Sequence, residues 1–134
     1  MTVPRLEALA DAIMAFEGWH VGDRPYRNRN PGDLRKGRFQ LGEDRDGYAI
    51  FSGLSVGYQA LLTDLRDKCT GKTVTCLGTT STLQDLVDVW APAADHNEPL
   101  RYAAFVARYV SAGLGLNIDI STTLDFFLAD EVKL

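Results

Sequence analysis

The chain has 134 residues, which is enough for one domain with a hydrophobic core and too few for two ordinary domains, so we expect a single domain over residues 1–134. Its hydrophobic fraction of 46% and charged fraction of 24% are typical of a globular protein, and no apolar run is long enough to insert into a membrane. The net charge of −4 argues against nucleic acid or an anionic membrane surface as a partner.

The first predicted element is a helix from Pro4 to Glu17, with Gly18 as its stop. Glu17 follows Ile13 by four residues and therefore lies on the apolar stripe of this helix. Desolvation and the negative end of the helix dipole both disfavour a carboxylate there, so the sequence predicts a raised pKa. The stripe comprises Leu6, Leu9, Ala10 and Ile13.

A carboxyl group that stays protonated near neutral pH, at a helix end that opens into a loop, is what a general acid for glycosidic bond cleavage requires. Glu17 is therefore the candidate catalytic residue. A glutamate that ends an amphipathic helix is also often a solvated residue at the edge of the stripe, and this alternative stays open from the residues alone.

Residues 18–38 are irregular and dense in turn formers. Asn28 and Asn30 lie in this segment, and their amides both donate and accept hydrogen bonds, which suits the N-acetyl and hydroxyl groups of sugars. The alternative for both is turn chemistry, because asparagine before Pro-Gly is a common turn starter. Trp19 and Tyr26 are further candidates for stacking on sugar rings.

A small β-hairpin is predicted next, with strands at residues 39–41 and 48–51 around a charged turn at residues 42–47. Tyr48 opens the second strand and is a candidate for contact with a sugar. The acids of the turn are expected to be surface charges.

The next helix is predicted to begin near Ser52 or Ser55 and to run to about Lys68. Its predicted buried face is Leu54, Tyr58, Leu61, Leu62 and Leu65. A shorter helix at residues 83–90 is capped by Ser81 or Thr82. The inward residues of this short helix are expected to be Leu83, Leu86, Val87 and Trp90, with Trp90 in the core rather than in a cleft.

Pro92 stops that short helix, because the residue before a proline is pushed out of helical geometry. Another helix is predicted at residues 100–112, with Gly113-Leu114-Gly115 as its end. Its predicted apolar face is Ala103, Ala104, Val106, Ala107 and Val110. Tyr102 is offset from that face and is expected to point towards a groove or towards solvent. A last helix follows Ser121-Thr122 and is expected to pack Leu124, Phe127 and Leu128.

The predicted architecture is mainly α, a helical lobe with one small β-hairpin, and such a layout can leave a substrate cleft between the two. Cys69 and Cys76 could pair across a Thr/Gly-rich loop or could both stay reduced. Two histidines and the lack of a C-x-x-C motif argue against structural zinc, and no cofactor is expected.

A second catalytic carboxylate is not singled out by the sequence. The possible residues are Asp33, Glu43, Asp44, Asp46 and Asp95. Glu17 could also work alone: one carboxyl group can protonate the leaving oxygen and then act as a base while a hydroxyl of the substrate attacks, in place of water.

Three parts of the sequence carry a family resemblance: IMAFEGW at residues 13–19 with RNRNPGDLR at 27–35, YAIFS at 48–52 with GYQAL at 57–61, and WAPAADHNEPLRY at 90–102. In this order and spacing they resemble the small lysozyme-like peptidoglycan-cleaving domains of bacteriophage particles and prophages. The third part is also distantly similar to bacterial glucosaminidases. The resemblance covers about residues 8–116.

The resemblance implies a lysozyme-like fold, with Glu17 as the catalytic acid. The implied reaction is cleavage of the β-1,4 bond between N-acetylmuramic acid and N-acetylglucosamine, by hydrolysis or by lytic transglycosylation. The candidate substrate-binding residues are Asn28, Asn30, Tyr48, Asn97 and Tyr102. The sequence departs from the family where Asp33 replaces a frequent Asn and where His96-Asn97-Glu98 replaces a more usual Asn-Asp pair.

Two other functions stay open. One is a non-catalytic module on the same fold that binds cell-wall glycan or builds a virion, and the other is a helical interaction domain with a large exposed apolar patch. The N-terminus lacks the basic-then-apolar layout of a signal peptide. We therefore expect a protein that is made in the cytoplasm and reaches the cell wall through phage lysis, a virion or other non-classical delivery. We also expect it to be a monomer.

Overall fold

The computed structural model describes residues 3–92 and 97–131 of the chain. Across these two ranges about half of the residues lie in six helices, and two short strands form an antiparallel sheet, which confirms the mainly α class. Among the residues described, no helix is both long and apolar enough to cross a membrane. The elements are α1 (Arg5–Glu17), α2 (Arg24–Arg27), β1 (Gly42–Glu43), β2 (Ala49–Ile50), α3 (Leu54–Thr70), α4 (Leu83–Trp90), α5 (Pro99–Leu114) and α6 (Asp125–Leu128).

The main hydrophobic core forms where α1 packs against α3, α5 and α6, and where α4 packs against α5. The predicted stripe of α1 is buried in this core: Leu6, Leu9, Ala10 and Ile13. Gly18 ends the helix with a φ of +91°, which side chains rarely adopt, and its N–H donates to the carbonyl of Met14. The end of a well-packed helix therefore positions Glu17.

The predicted start of α4 is confirmed at Thr82. The Thr82 hydroxyl accepts from the N–H of Asp85 at 3.1 Å, and the Asp85 carboxylate accepts from the N–H of Thr82 at 2.9 Å. This reciprocal pair satisfies two backbone donors at the helix start. Ala91 follows α4 in a non-helical conformation, as the proline after it requires.

The prediction that a serine caps the start of α3 is wrong. The helix begins at Leu54 after Gly53, and neither Ser52 nor Ser55 caps it through its side chain. Leu54 was expected on the buried face but is 43% exposed, because it lies in the first turn, beyond the reach of the core. The rest of the predicted face packs as expected, with Leu61, Leu62 and Leu65 buried and Tyr58 half-buried.

α5 begins one residue earlier and ends two residues later than predicted. Gly113 stays within the helix, and Gly115 ends it with a φ of +65°. The buried face of α5 is Tyr102, Ala103, Val106, Ala107 and Val110, so Tyr102 belongs to the stripe from which the prediction had excluded it. Leu124, immediately before α6, and Phe127 within it lie in the core, with Leu128 partly buried against it.

The hairpin exists, but its first strand is displaced. β1 lies at Gly42–Glu43 rather than at residues 39–41 and pairs antiparallel with β2. The Asp44 carboxylate accepts from the N–H groups of Asp46 and Tyr48, and this side-chain turn sets where the strands begin. Phe39 and Leu41 are 74% and 71% exposed, so they do not form the buried face that a strand there would need.

A second, smaller core lies under the hairpin and comprises Leu34, Ala49, Phe51 and Ala60. Trp90 packs against both cores and links the hairpin side to the helical side. The irregular loop rests directly on α3 at Gly57, where a β-carbon would lie only 2.1 Å from the carbonyl oxygen of Arg29. Only glycine allows this approach of the two backbones.

The two cysteines are not paired in the described part of the chain, and both are free. Cys69 is buried in α3, where desolvation raises the pKa of its thiol to about 12. Cys76 is exposed in the loop that follows. Of the two possibilities that the sequence left open, the structure has the reduced form.

Candidate functional site

An open cleft of about 550 Å³ lies between the hairpin side and the helical side of the molecule. Its wall is built from the end of α1, the irregular loop, the residue before β2, the C-terminal half of α3 and the end of α4. Glu17 lines this cleft, together with Asp33 and Tyr48. The hairpin and the helices therefore enclose the kind of groove that their order along the chain predicted.

Glu17 is the last residue of α1, and its side chain is half-buried. Burial raises its pKa from 4.5 to about 7 because desolvation disfavours the charged form. The hydroxyl of Tyr102 donates to Oε2 of Glu17 at 2.9 Å and opposes this rise. The negative charge of Asp33 raises the pKa a little further, and the positive charge of Arg24 lowers it. At pH 6 to 7 a large share of Glu17 therefore carries a proton beside the cleft.

Tyr102 holds this carboxyl group from within the core. Its side chain is only 2% exposed, and its ring packs on Phe16 with the centroids 3.9 Å apart. Burial and the neighbouring Glu17 both raise the pKa of Tyr102 well above its usual value, so its hydroxyl remains a neutral donor. The expected position at a groove or in solvent is therefore wrong. The spacing of four residues from Tyr102 to Val106 was the signal that places it on the buried face.

Tyr48 lines the cleft in contact with two arginines. The guanidinium carbon of Arg24 lies 3.5 Å from the centroid of the Tyr48 ring, and that of Arg35 lies 4.5 Å from it. Arg35 also donates to the Tyr48 hydroxyl at 3.2 Å. These cation–π contacts partly cover the ring that was expected to stack on a sugar, and they hold it in a fixed place.

Arg24 and Asp33 form an ion pair at the cleft wall. The Nε of Arg24 donates to Oδ1 of Asp33 at 2.9 Å, and its NH2 group contacts Oδ2. This bonding raises the pKa of Arg24 above its usual range. Asp33 is thus a second carboxyl group in the same cleft as Glu17, and it is tied to a guanidinium along both of its oxygens.

Asn28 and Asn30 do not line this cleft but brace its wall. The amide of Asn30 donates to the carbonyls of Leu34 and Ala49 at 2.8 and 2.9 Å, and it accepts from the N–H of Leu34. Asn28 is also buried and donates to the Asp44 carboxylate at 2.9 Å. These bonds use both amide hydrogens and the amide oxygen of Asn30, and one amide hydrogen of Asn28, so both side chains support the structure of the loop.

Besides Arg24 and Arg35, three further cleft residues have roles that the sequence analysis missed. Asp64 and Lys68 lie one helical turn apart on α3 and pair at 2.6 Å between the carboxylate and Nζ. Nζ of Lys68 lies 5.3 Å from the ring of Trp90, which lines the cleft and is not confined to the core as expected. An acid and a base four residues apart usually mark only a solvated helix face, so spacing alone gave no sign of a cleft.

The remaining candidates are spread more widely. Asn97 is exposed at the cleft and donates to the carbonyl of Pro92 at 3.2 Å. The rings of Trp19 and Tyr26 pack against each other at a tilt of 56°, with centroids 5.2 Å apart, outside the cleft lining. Glu43, Asp44 and Asp46 belong to the hairpin and do not line the cleft either. Asp95 and His96 lie outside the described residues.

Within residues 3–92 and 97–131, no cluster of three His, Cys, Asp or Glu side chains has the arrangement of a metal site. No family model, curated protein or solved structure matches the chain in the comparisons with known proteins.

Proposed function

We propose that this protein has a lysozyme-like fold and cleaves the glycan strand of peptidoglycan at the β-1,4 bond between N-acetylmuramic acid and N-acetylglucosamine, with Glu17 as the general acid. The observation that carries the proposal is the carboxyl group of Glu17, which lines an open cleft and has a pKa raised to about 7. Departure of a sugar hydroxyl needs a proton, and an acid with this pKa still holds one at the pH of a cell wall.

The lining of the cleft suits a carbohydrate. Hydrogen-bonding side chains such as Tyr48 and Asn97 can contact sugar hydroxyls, and Trp90 contributes apolar surface to the lining. A glycan strand also needs a groove that is open along its length, and this cavity is open to solvent rather than enclosed.

The pairing of Asp33 favours a reaction that uses one carboxyl group. A retaining hydrolase needs a second carboxylate that is free to attack or to stabilise the sugar cation, and Asp33 would have to give up Arg24 to do so. Glu17 can instead protonate the leaving oxygen and then accept a proton from a hydroxyl of the same sugar. This course forms an intramolecular ether, the anhydro end of a lytic transglycosylase product, and water in the same place would give a reducing end.

The test is mass spectrometry of the soluble fragments released from purified peptidoglycan at pH 6. Three proteins are compared: wild type, Glu17→Gln, and Glu43→Gln as a control that removes an exposed hairpin carboxylate. We expect fragments with anhydro ends from wild type and from the control. The Glu17→Gln variant should lose at least about a hundredfold in rate, because an amide has no proton to transfer.

The other possible outcomes of this assay would each lead to a different conclusion. Reducing ends in place of anhydro ends would indicate a hydrolase. Wild-type activity in Glu17→Gln would contradict the role given to this residue. If no protein of the three released fragments, the function would instead be a non-catalytic module that binds wall glycan or builds a virion, which the same cleft could serve.

A further inference from the structure

The cations of the cleft are not equally neutralised. Arg24, Arg35 and Lys68 all line it. Arg24 is paired with Asp33, and Lys68 is paired with Asp64. In the described ranges of the chain, Arg35 forms no ion pair with a carboxylate. Its contacts are the Tyr48 hydroxyl at 3.2 Å and the backbone carbonyl of Asp46 at 3.5 Å, which are both neutral acceptors.

The positive charge of Arg35 is therefore not neutralised by a carboxylate of the described residues. When Glu17 carries its proton, the other carboxylates of the described lining, Asp33 and Asp64, each have a cation of their own. A cleft with one cation in excess attracts a ligand with a negative charge more than a neutral one.

The guanidinium is also held in place before a ligand arrives. It lies on the ring of Tyr48 and donates to its hydroxyl, and Tyr48 is itself contacted by Arg24. An arginine carries five N–H donors in a planar fork that matches a carboxylate, and Arg35 uses only part of them in these contacts. Less conformational freedom is then lost when a carboxylate binds.

We propose that Arg35, supported by Tyr48, forms a subsite for a carboxylate carried by the glycan substrate. The inference rests on the proposed function and narrows it, because it assigns the cleft to acidic glycans rather than to neutral polymers of N-acetylglucosamine. The carboxylate can come from the lactyl group on a sugar or from a peptide attached to it. In either case Arg35 would hold the sugar that carries the carboxylate, and would thereby select which glycosidic bond reaches Glu17 in the same cleft.

The test is a binding measurement by calorimetry in the Glu17→Gln background, where the ligand is not consumed. The probes are a peptide-free tetrasaccharide of alternating N-acetylglucosamine and N-acetylmuramic acid, its methyl ester, its peptide-bearing form, and the neutral tetramer of N-acetylglucosamine. Arg35→Gln is compared with Arg38→Gln, which removes a cation from the same loop but outside the cleft lining. Both arginines are exposed, and unchanged melting temperatures would confirm that both variants fold.

We expect Arg35→Gln to weaken binding of the free acid about tenfold, in line with the loss of a charge-assisted hydrogen bond at a partly solvated site. Binding of the ester and of the neutral tetramer should change less than about twofold, and Arg38→Gln should change none of them. Arg35→Lys keeps the positive charge but not the planar fork of donors, so its affinity for the free acid should lie between those of the parent and of Arg35→Gln. A loss confined to the peptide-bearing form would support the subsite and assign the carboxylate to the peptide.

Equal losses for the acid and its ester, or no loss for either acidic form, would overturn the subsite. So would a parent protein that binds none of the four glycans. Release of fragments by wild type tests the proposed function separately, because a cleaving enzyme without selectivity for carboxylates would pass that assay and fail this one.

Discussion

Glu17 makes the stability of the protein depend on pH in a direction opposite to that of an ion-paired carboxylate. Its pKa in the folded protein is about 7, against 4.5 for an ordinary glutamate. The folded state therefore binds this proton more tightly than the unfolded state does. The stabilisation is fully present below pH 4.5, falls as the pH rises towards 7, and stays constant above that. At about 1.4 kcal/mol for each pKa unit, the loss amounts to about 3 kcal/mol.

The measurement is urea unfolding at pH 4.5, 5.5, 6.5 and 8, followed by tryptophan fluorescence, for wild type and Glu17→Gln. Glutamine has nearly the same shape but does not titrate, so the difference between the two proteins removes every other titrating group that they share. Between the lowest and the highest pH, we expect the free energy of unfolding of Glu17→Gln to rise by about 3 kcal/mol relative to that of wild type. Glu43→Gln, which removes an exposed carboxylate, should follow wild type at every pH.

A difference that varies by less than about 0.5 kcal/mol across this range would refute the reasoning. It would mean that Glu17 ionises like a solvated glutamate despite its burial. The carboxyl group would then be charged at neutral pH, and the basis for its role as a proton donor would be gone.

Two further predictions concern the groups around the cleft. Tyr102→Phe removes the hydroxyl that lowers the pKa of Glu17, so the upper limb of the pH–rate profile should move to higher pH, and an unmoved limb would contradict the assigned contact. Asn30→Ala removes three buried hydrogen bonds and should lower the free energy of unfolding by about 3 kcal/mol in urea. Asn28→Ala removes one bond to the Asp44 carboxylate and should cost less than Asn30→Ala, and equal costs for the two variants would argue against this assignment.

The parts of the fold that the sequence predicted well are those with local causes. The stripe of α1, its stop at Gly18 and the cap at Thr82 each depend on residues within a few positions of one another. Periodicity and capping chemistry act over that distance. The raised pKa of Glu17 could also be predicted, because it requires only that the apolar stripe of α1 face a core.

The parts that sequence reasoning missed depend on residues far apart in the chain. The amide of Asn30 donates to the carbonyl of Ala49, a residue of the second core that lies 19 positions away. Nothing in the sequence near Asn30 indicates that partner. The same holds for the contact of Arg24 with the ring of Tyr48, which comes from the hairpin and not from the irregular loop. Periodicity shows which face of an element is buried, but it does not show which element covers that face.

The bond between Tyr102 and Glu17 joins residues 85 positions apart. A ribosome therefore completes α1 long before it has made Pro99–Leu114. Until the chain packs around the end of α1, the carboxyl group of Glu17 is exposed to water and ionises as any glutamate does. The nascent chain therefore contains Glu17 with an ordinary pKa rather than a raised one. The raised pKa develops only once the chain has packed around the end of α1, so it can serve as a reporter of completed folding.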